Sequence, residues 1–392
     1  MPVKFVLAAY GSRGDTEPCI AVAEELRRRA HDVRMALTVP PEMRQYVDSA
    51  GLDTVPYGRD WQELLSDDEF TRMLQNPMSA IPQAVEYVAR VMAEKTATLL
   101  SLAEDADLLV AGMTEQELVG TVAEYYRVPL AALHFFPQQI LQHGSSEDRV
   151  SATSGQAQRR SLGLPDEPRP GQPLEIQAYE RLCVPALAAE WEGSARPFVG
   201  ALTLQRKTAA DNDVRAWCAS GTAPVYFGFG STPVQAPADT IAVISAACAQ
   251  LGVRALICMG PNDFTGIAIR DHVNVVREVS HASVFPECRA VVHHGGAGTT
   301  AAGLRAGAPA LVLWNGLDQP MWATSVAFLE VGLGRRFSES TLDSLVADLS
   351  AVLEPHYASR AKAVADQMTP PSESISRAAD LLEAAAGRGC QD

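Results

Sequence analysis

The sequence predicts an α/β protein of two doubly wound domains whose parallel sheets face a central cleft. Two observations predict it. Short apolar strands alternate strictly with helices through the first half, and a polar stretch then interrupts a pattern that restarts and repeats in the second half. The 392 residues suffice for two domains of ordinary size, and a content of 47% hydrophobic and 20% charged residues is that of a globular chain rather than a disordered one. The boundaries read as a domain over 1–204, a linker over 205–223, a second domain over 224–372, and a closing helix within 373–392 that packs back on the first domain.

The elements follow from their residues. Residues 3–10 form an apolar run broken only by Lys4, as a strand buried on both faces requires. A helix over 17–29 places Ile20, Val22, Ala23 and Leu26 on one side and closes on Arg27, Arg28 and Arg29, cations that suit a helix end. A strand at 33–37, a helix at 41–49 and a strand at 54–57 come next. A long helix over 79–102 leads to a strand at 108–112, a helix at 116–126 and a strand at 130–135. Residues 144–173 are rich in Ser, Gly, Gln, Arg and Pro and read as a long loop of the kind that serves function. A helix over 178–190 and a last strand over 196–200 close this half. The second half reads as strands at 225–229, 254–258, 273–276, 290–293 and 310–314, with helices at 240–250, 298–305, 321–330, 342–353 and 374–385.

Charge and cysteine usage narrow the function classes. With 32 Lys and Arg against 47 Asp and Glu the formal charge is −15. That is a poor balance for nucleic acid or an anionic membrane surface, while a local pocket for a small anion remains allowed. No apolar run is long enough to span a bilayer. The N-terminal run lacks a basic n-region, and Gly11-Ser12-Arg13-Gly14-Asp15 stands where a cleavage site belongs, so it reads as a strand and not a signal peptide. Seven scattered cysteines with no Cys-x-x-Cys pair indicate neither a disulfide framework nor zinc, and a reducing cytoplasm is the simple expectation.

The strongest chemical signal is the string from Val291 to Thr300, in which an apolar strand ends in His293-His294 and Gly295-Gly296-Ala297-Gly298-Thr299-Thr300 opens into a helix. Backbone N–H groups and the positive end of the helix dipole at such a start suit a phosphate or diphosphate, with His294 and the threonine hydroxyls as further donors. The plain alternative is a helix start capped by Thr. Gly228-Phe229-Gly230-Ser231-Thr232 offers a second hydroxyl-bearing turn at a strand end, or an ordinary βα turn. Asp318 and Gln319, after another strand, can hydrogen-bond the hydroxyls of a polyol, or Asp318 can cap the helix that Pro320 enters. Gly11 to Pro18 joins the first strand to the first helix and is not the dinucleotide fingerprint. Asp15 there can accept a proton from a substrate hydroxyl or act as the helix N-cap, and the dipole favours its ionised form. Asp105-Ala106-Asp107 and Asp211-Asn212-Asp213 look like metal-binding Asp-x-Asp pairs but sit before a strand and in the linker, where solvated helix ends fit better; His31 fits a structural capping role.

Together these strings resemble the inverting glycosyltransferases of the GT-B type, which have two Rossmann-like domains, and most closely the bacterial natural-product branch with the vancomycin-group and related actinobacterial enzymes. The resemblance runs over nearly the whole chain. It is specific at 11–18, 291–300 and 318–319 and weakest over 57–85 and 136–173, the variable acceptor-side loops of the family. It implies that Asp15 is the general base, and that His294, Gly295, Gly296, Gly298, Thr299, Ser231, Thr232 and Ser12 hold the donor. Asp318 and Gln319 then meet the sugar, and Val279-Ser280 offers main chain to the nucleotide base. Plant relatives carry a ribose-gripping Glu where this chain has Ala302, which favours a dTDP-sugar over a UDP-sugar. The acceptor, an apolar polyketide, peptide or lipid aglycone, falls to the first half, with Arg13, Trp61, Phe70, Met78, His134, Phe135, Phe136 and Gln138 as its contacts or as plain core. Neither metal nor cofactor is required, the nucleotide sugar being a co-substrate, and a homodimer or helper protein is left open. Rival readings are a nucleotide-sugar epimerase on the same fold and a non-catalytic nucleotide-sugar-binding partner of another transferase.

Overall fold

The computed structural model describes residues 2–39, 41–59, 81–138, 155–168, 173–231, 234, 236–260, 262, 267 and 270–389. Its chain divides into two compact units. One comprises Met1–Ala178, Glu190–Leu202 and Ser372–Asp392, the other Tyr179–Ala189 and Thr203–Pro371. Each contains a six-stranded, fully parallel sheet.

In the first unit the strands are β1 (Lys4–Ala8), β2 (Asp32–Ala36), β3 (Asp53–Val55), β4 (Leu108–Ala111), β5 (Leu130–His134) and β6 (Leu174–Gln177), in the order β3-β2-β1-β4-β5-β6. In the second they are β7 (Val225–Gly228), β8 (Ala255–Cys258), β9 (Val273–Val276), β10 (Ala290–His293), β11 (Ala310–Trp314) and β12 (Gly332–Arg336), in the order β12-β11-β10-β7-β8-β9. Read from its other end, the second sheet repeats the first. In both, the winding reverses between the first and fourth strands, and ligands of such sheets bind at the carboxyl ends there. The turns after β1, β4, β7 and β10 are therefore the places to look. The central strands are buried on both faces, as β4, β7 and β10 show along their whole lengths. One face of the second sheet packs Phe227, Ile257, Val292 and Leu311 against the helices Pro237–Leu251 and Leu342–Val352, while the other packs Tyr226, Leu256 and Val291 against Val284 and Phe285. In the first unit Val6, Leu109, Leu99, Leu118 and Val122 form a corresponding core.

Several elements differ from the sequence reading. The first helix begins at Arg13, not residue 17, because Ser12 caps it and Asp15 stands at its third position, completing a capping box. The sixth strand is β6, not 196–200: Leu174-Glu175-Ile176-Gln177 lies next to β5, and beyond it Phe198 makes only an isolated bridge to Gln177. Gln177 N donates to Pro197 O at 2.9 Å, but Pro197 has no N–H to return. The helix expected over 178–190 is reduced to a 3-10 turn at Arg181–Cys183 and the short helix Pro185–Glu190. The expected loop over 144–173 contains a helix at 155–161. The expected linker contains the helix Asp211–Ala219, and from Thr203 to Pro371 the chain belongs to the second unit. β12 and the helix Pro355–Ala365 had no counterpart in the reading.

The closing helix, Pro371–Gly389, lies with the first unit from Ser372 onward. Arg29 reaches Asp380 at 2.6 Å and Glu383 at 3.0 Å, and His31 Nε2 meets Glu383 Oε1 at 2.8 Å. His31 Nδ1 accepts from Val3 N at 3.1 Å, so His31 is structural on both ring nitrogens.

Candidate active site

In the first unit the site is the turn from β1 into the helix Arg13–Arg28. Ser12 donates to Asp15 Oδ2 through both its N–H and its hydroxyl, each at 2.8 Å. Gly11 has φ +127°, and a Cβ there would lie 2.5 Å from Asp15 Oδ2, so only glycine fits between strand and carboxylate. Asp15 is thus not the N-cap expected as its plain role. Burial pushes its carboxyl above the usual range, against the opposing hydrogen bonds from Ser12. The dipole argument alone had the opposite sign. Arg13 forms an ion pair with Glu17 at 2.6 Å within the same helix.

The acceptor-side residues are partly placed. His134 ends β5, only 4% exposed, with Nε2 buried and unpartnered, and burial pushes its pKa down. Phe135 is buried, whereas Phe136 and Gln138 are half-buried. Trp61, Phe70 and Met78 lie outside the described residues, as does Thr232.

The second unit brings the donor-side strings together. The His294 ring lies between two glycines: a Cβ on Gly230 would be 2.4 Å from its Cε1, and one on Gly296 2.6 Å from its Nε2. The turn bearing exposed Ser231 and the turn after β10 therefore meet across that ring. A Cβ on Gly295, at φ +93°, would sit 3.0 Å from Gln319 Cβ, so the Asp318-Gln319 turn closes the other side. The helix Ala297–Arg305 starts from Gly296 with no side-chain cap. Thr300, expected as a cap in the plain alternative, turns its hydroxyl to Gly296 O at 2.9 Å. Such a start leaves the first N–H groups without helical partners, at Ala297, Gly298 and Thr299, which is the arrangement that receives an anion. Thr299 is half-buried and Gly298 exposed at this start.

Burial pushes the His294 pKa down to about 4, despite a contribution from the Gly228 main chain that favours its charged form. His293 is pushed to about 3 and uses Nδ1 to accept from Gly295 N at 3.1 Å. Both imidazoles are neutral near pH 7. An arriving diphosphate would reverse part of this, since a nearby anion favours the protonated ring.

Asp318 and Gln319, expected to meet the sugar, are already engaged within the protein. Asp318 Oδ2 accepts from Trp322 Nε1 at 2.8 Å, and Gln319 Oε1 accepts from Asn315 N at 2.8 Å. The residue between Gly316 and Asp318, Leu317, is 81% exposed at φ +57°, a strained backbone state for Leu that the sequence did not announce. Val279 is buried in the core and Ser280 caps the helix His281–Val284, its own carbonyl accepting from Ser283 N and Val284 N. Asp211 holds that segment: its carboxylate accepts from Ser280 N at 2.9 Å and Thr208 Oγ1 at 2.6 Å, so it is a buried anchor and not the solvated helix end expected. Among the described residues no three His, Cys, Asp or Glu side chains cluster as a metal site, and no helix is long and apolar enough to cross a membrane.

Comparison with known proteins gives the family. Residues 5–138 match the glycosyltransferase family 28 N-terminal domain, and 256–381 match the erythromycin biosynthesis protein CIII-like C-terminal domain. An uncharacterized glycosyltransferase of Mycobacterium tuberculosis is 52% identical, covering 98% of this chain and all of its own. The vancomycin aglycone glucosyltransferase of Amycolatopsis orientalis is 29% identical over 98% of both chains. The spinosyn rhamnosyltransferase SpnG complexed with spinosyn aglycone has a TM-score of 0.68 at 19% identity, covering 96% of this chain and all of its own. The glycosyltransferase VinC in complex with dTDP has a TM-score of 0.64 at 19% identity, over 98% of this chain and all of its own; these last two share the fold. The chain is an enzyme that belongs to the GT-B glycosyltransferases, in the natural-product branch defined by the family 28 N-terminal and erythromycin CIII-like C-terminal domains.

Proposed function

We propose that this glycosyltransferase moves a sugar from a nucleotide-diphosphate donor to a hydroxyl of an apolar aglycone with inversion, without a metal ion, and with Asp15 as the general base. The observation that carries the reading is the convergence of the Ser231 turn, the His294 ring, Gly295-Gly296 and Gln319 at an uncapped helix start. Asp15 takes the proton of the acceptor hydroxyl as its oxygen attacks the anomeric carbon, and the carbon–oxygen bond to the diphosphate breaks. A base whose pKa is raised toward the working pH removes that proton more readily. The helix N–H groups and His294 meet the charge gathering on the leaving diphosphate, fixed in place before the reaction begins.

The donor is a dTDP-sugar in this reading. Ala302 stands where relatives grip both ribose hydroxyls, and a ribose without a 2′-hydroxyl loses least by it. VinC has been solved with dTDP, and SpnG with spinosyn aglycone. Isothermal titration of the purified chain with dTDP and UDP in the presence of EDTA tests this. Micromolar dTDP binding, several-fold tighter than UDP, is expected. Tighter UDP binding refutes the donor assignment, binding of neither refutes the donor site, and binding abolished by EDTA refutes metal independence.

A further inference from the structure

Directly behind the Asp15 turn, the first unit buries a charged cluster that the mechanism above does not use. Lys95, on the helix Ile81–Ala103, and Glu115, just before the helix Gln116–Tyr126, are 6% and 3% exposed. Lys95 Nζ donates to Glu115 Oε1 at 2.9 Å, and the Tyr57 hydroxyl donates to Glu115 Oε2. The same ammonium lies 3.5 Å from the centroid of the Tyr10 ring. Thr114 Oγ1 lies 3.0 Å from Tyr10 O and 3.2 Å from Glu115 Oε1. Gly58 closes the cluster: a Cβ there would be 2.9 Å from both Lys95 Cε and Tyr10 Cε2.

A buried ion pair is a poor stabiliser, because desolvating two charges offsets most of their attraction and a well-packed apolar replacement often does as well. What this one does geometrically is more specific. It holds Tyr10 by the face of its ring through Lys95 and by its carbonyl through Thr114. From Tyr10 to the carboxylate there is no slack. Gly11 lies against Asp15 Oδ2, and Ser12 bonds the same oxygen twice. Both parts lie at the carboxyl ends of β1 and β4, where the winding of the sheet reverses.

We infer that Lys95 and Glu115 are positioning residues for the Asp15 carboxylate, acting through Tyr10 and Thr114. The inference rests on the proposed role of Asp15 as base. The test uses the full chain labelled with ¹³C at aspartate carboxyls, the Asp15 resonance being identified by its loss in Asp15→Asn. Its titration midpoint is measured in the parent, in Thr114→Val and in the doubly neutralised Lys95→Met/Glu115→Gln, which leaves no buried charge unpaired. Loosening the turn admits water to the carboxylate, so the midpoint is expected to fall in both variants, with dTDP affinity unchanged. Thr114 is exposed, so Thr114→Val keeps the inference testable if the double variant does not fold. A midpoint unmoved in Thr114→Val, or in a folded double variant whose melting temperature alone has changed, overturns it and reduces the cluster to structure. If Asp15→Asn transfers sugar at the parent rate, the base assignment fails separately, whatever the midpoints show.

Discussion

Asp15 is held by a single residue, Ser12, through two bonds to one oxygen, and by a glycine that leaves no room for any side chain. A carboxylate so fixed has lost much of its water, and burial outweighs the bonds that favour its charge. Replacing it with Asn keeps the shape and removes the basicity. Transfer by Asp15→Asn is expected to fall by about 10²–10⁴-fold, the usual worth of a general base, while dTDP binds as before. Steady-state kinetics beside nucleotide titration checks both halves, and a variant within twofold of the parent removes Asp15 from the reaction. In the parent, the proposed role as base requires Asp15 ionised, and since its pKa is raised the acid limb of the pH–rate profile should lie above the ordinary carboxylate range.

At the scale of elements, the helix Ala297–Arg305 carries a separate device at its far end. Arg305 bonds three chain segments remote from one another in sequence: Nε to Thr369 O at 3.0 Å, Nη1 to Thr203 Oγ1 at 2.7 Å and Nη2 to Glu180 Oε1 at 3.3 Å. Glu180 Oε2 accepts from the Thr369 hydroxyl at 3.0 Å, which closes the network. Arg305→Met strands the Glu180 carboxylate, whose side chain is 5% exposed, and is expected to destabilise the second unit by about 3 kcal/mol. Adding Glu180→Gln should recover a share of that loss. Urea unfolding followed by Trp322 fluorescence measures it, and additive losses would deny the coupling. None of this was legible in the sequence, since Glu180, Thr203, Arg305 and Thr369 meet only through tertiary folding. What was legible is the local pattern. Apolar runs such as 290–293 and 310–314 became strands with the same bounds, and the glycine strings became turns around His294. β12 escaped because Gly332-Leu333-Gly334-Arg335-Arg336 has no apolar run to mark it. The helix Asp211–Ala219 escaped because its acidic start reads as linker until Ser280 supplies the N–H that its first Asp holds. The Lys95–Glu115 pair escaped because a charged residue on a helix is ordinarily at the surface.

For the whole molecule, the two units should differ in their tolerance of acid. The second holds His293 buried and His294 half-buried, with pKa values at about 3 and about 4. Unfolding returns both to the ordinary value near 6.5. Below that pH the unfolded chain binds protons that the folded unit refuses, so stability falls as pH drops, until the folded imidazoles themselves titrate. Between pH 6.5 and 5 each can remove up to about 2 kcal/mol, since each tenfold in proton affinity is worth about 1.4 kcal/mol. Among its described residues the first unit has one such imidazole, His134, also shifted down by burial. Asp15 works in the other direction, because its raised pKa makes the folded unit gain protons first as pH falls. Glu25, held down to about 2 by Arg28 and Arg29, contributes stability that is lost only below the ordinary carboxylate range, toward pH 2. Hydrogen exchange corrected for intrinsic rates, compared at pH 7.5 and 5, resolves the units strand by strand. Amides of β7, β10 and β11 are expected to lose more protection free energy than those of β1, β4 and β5. His293→Asn, which cannot take up the proton, should shrink the difference. Equal losses in the two sheets would mean that the imidazoles are not the groups through which acid acts.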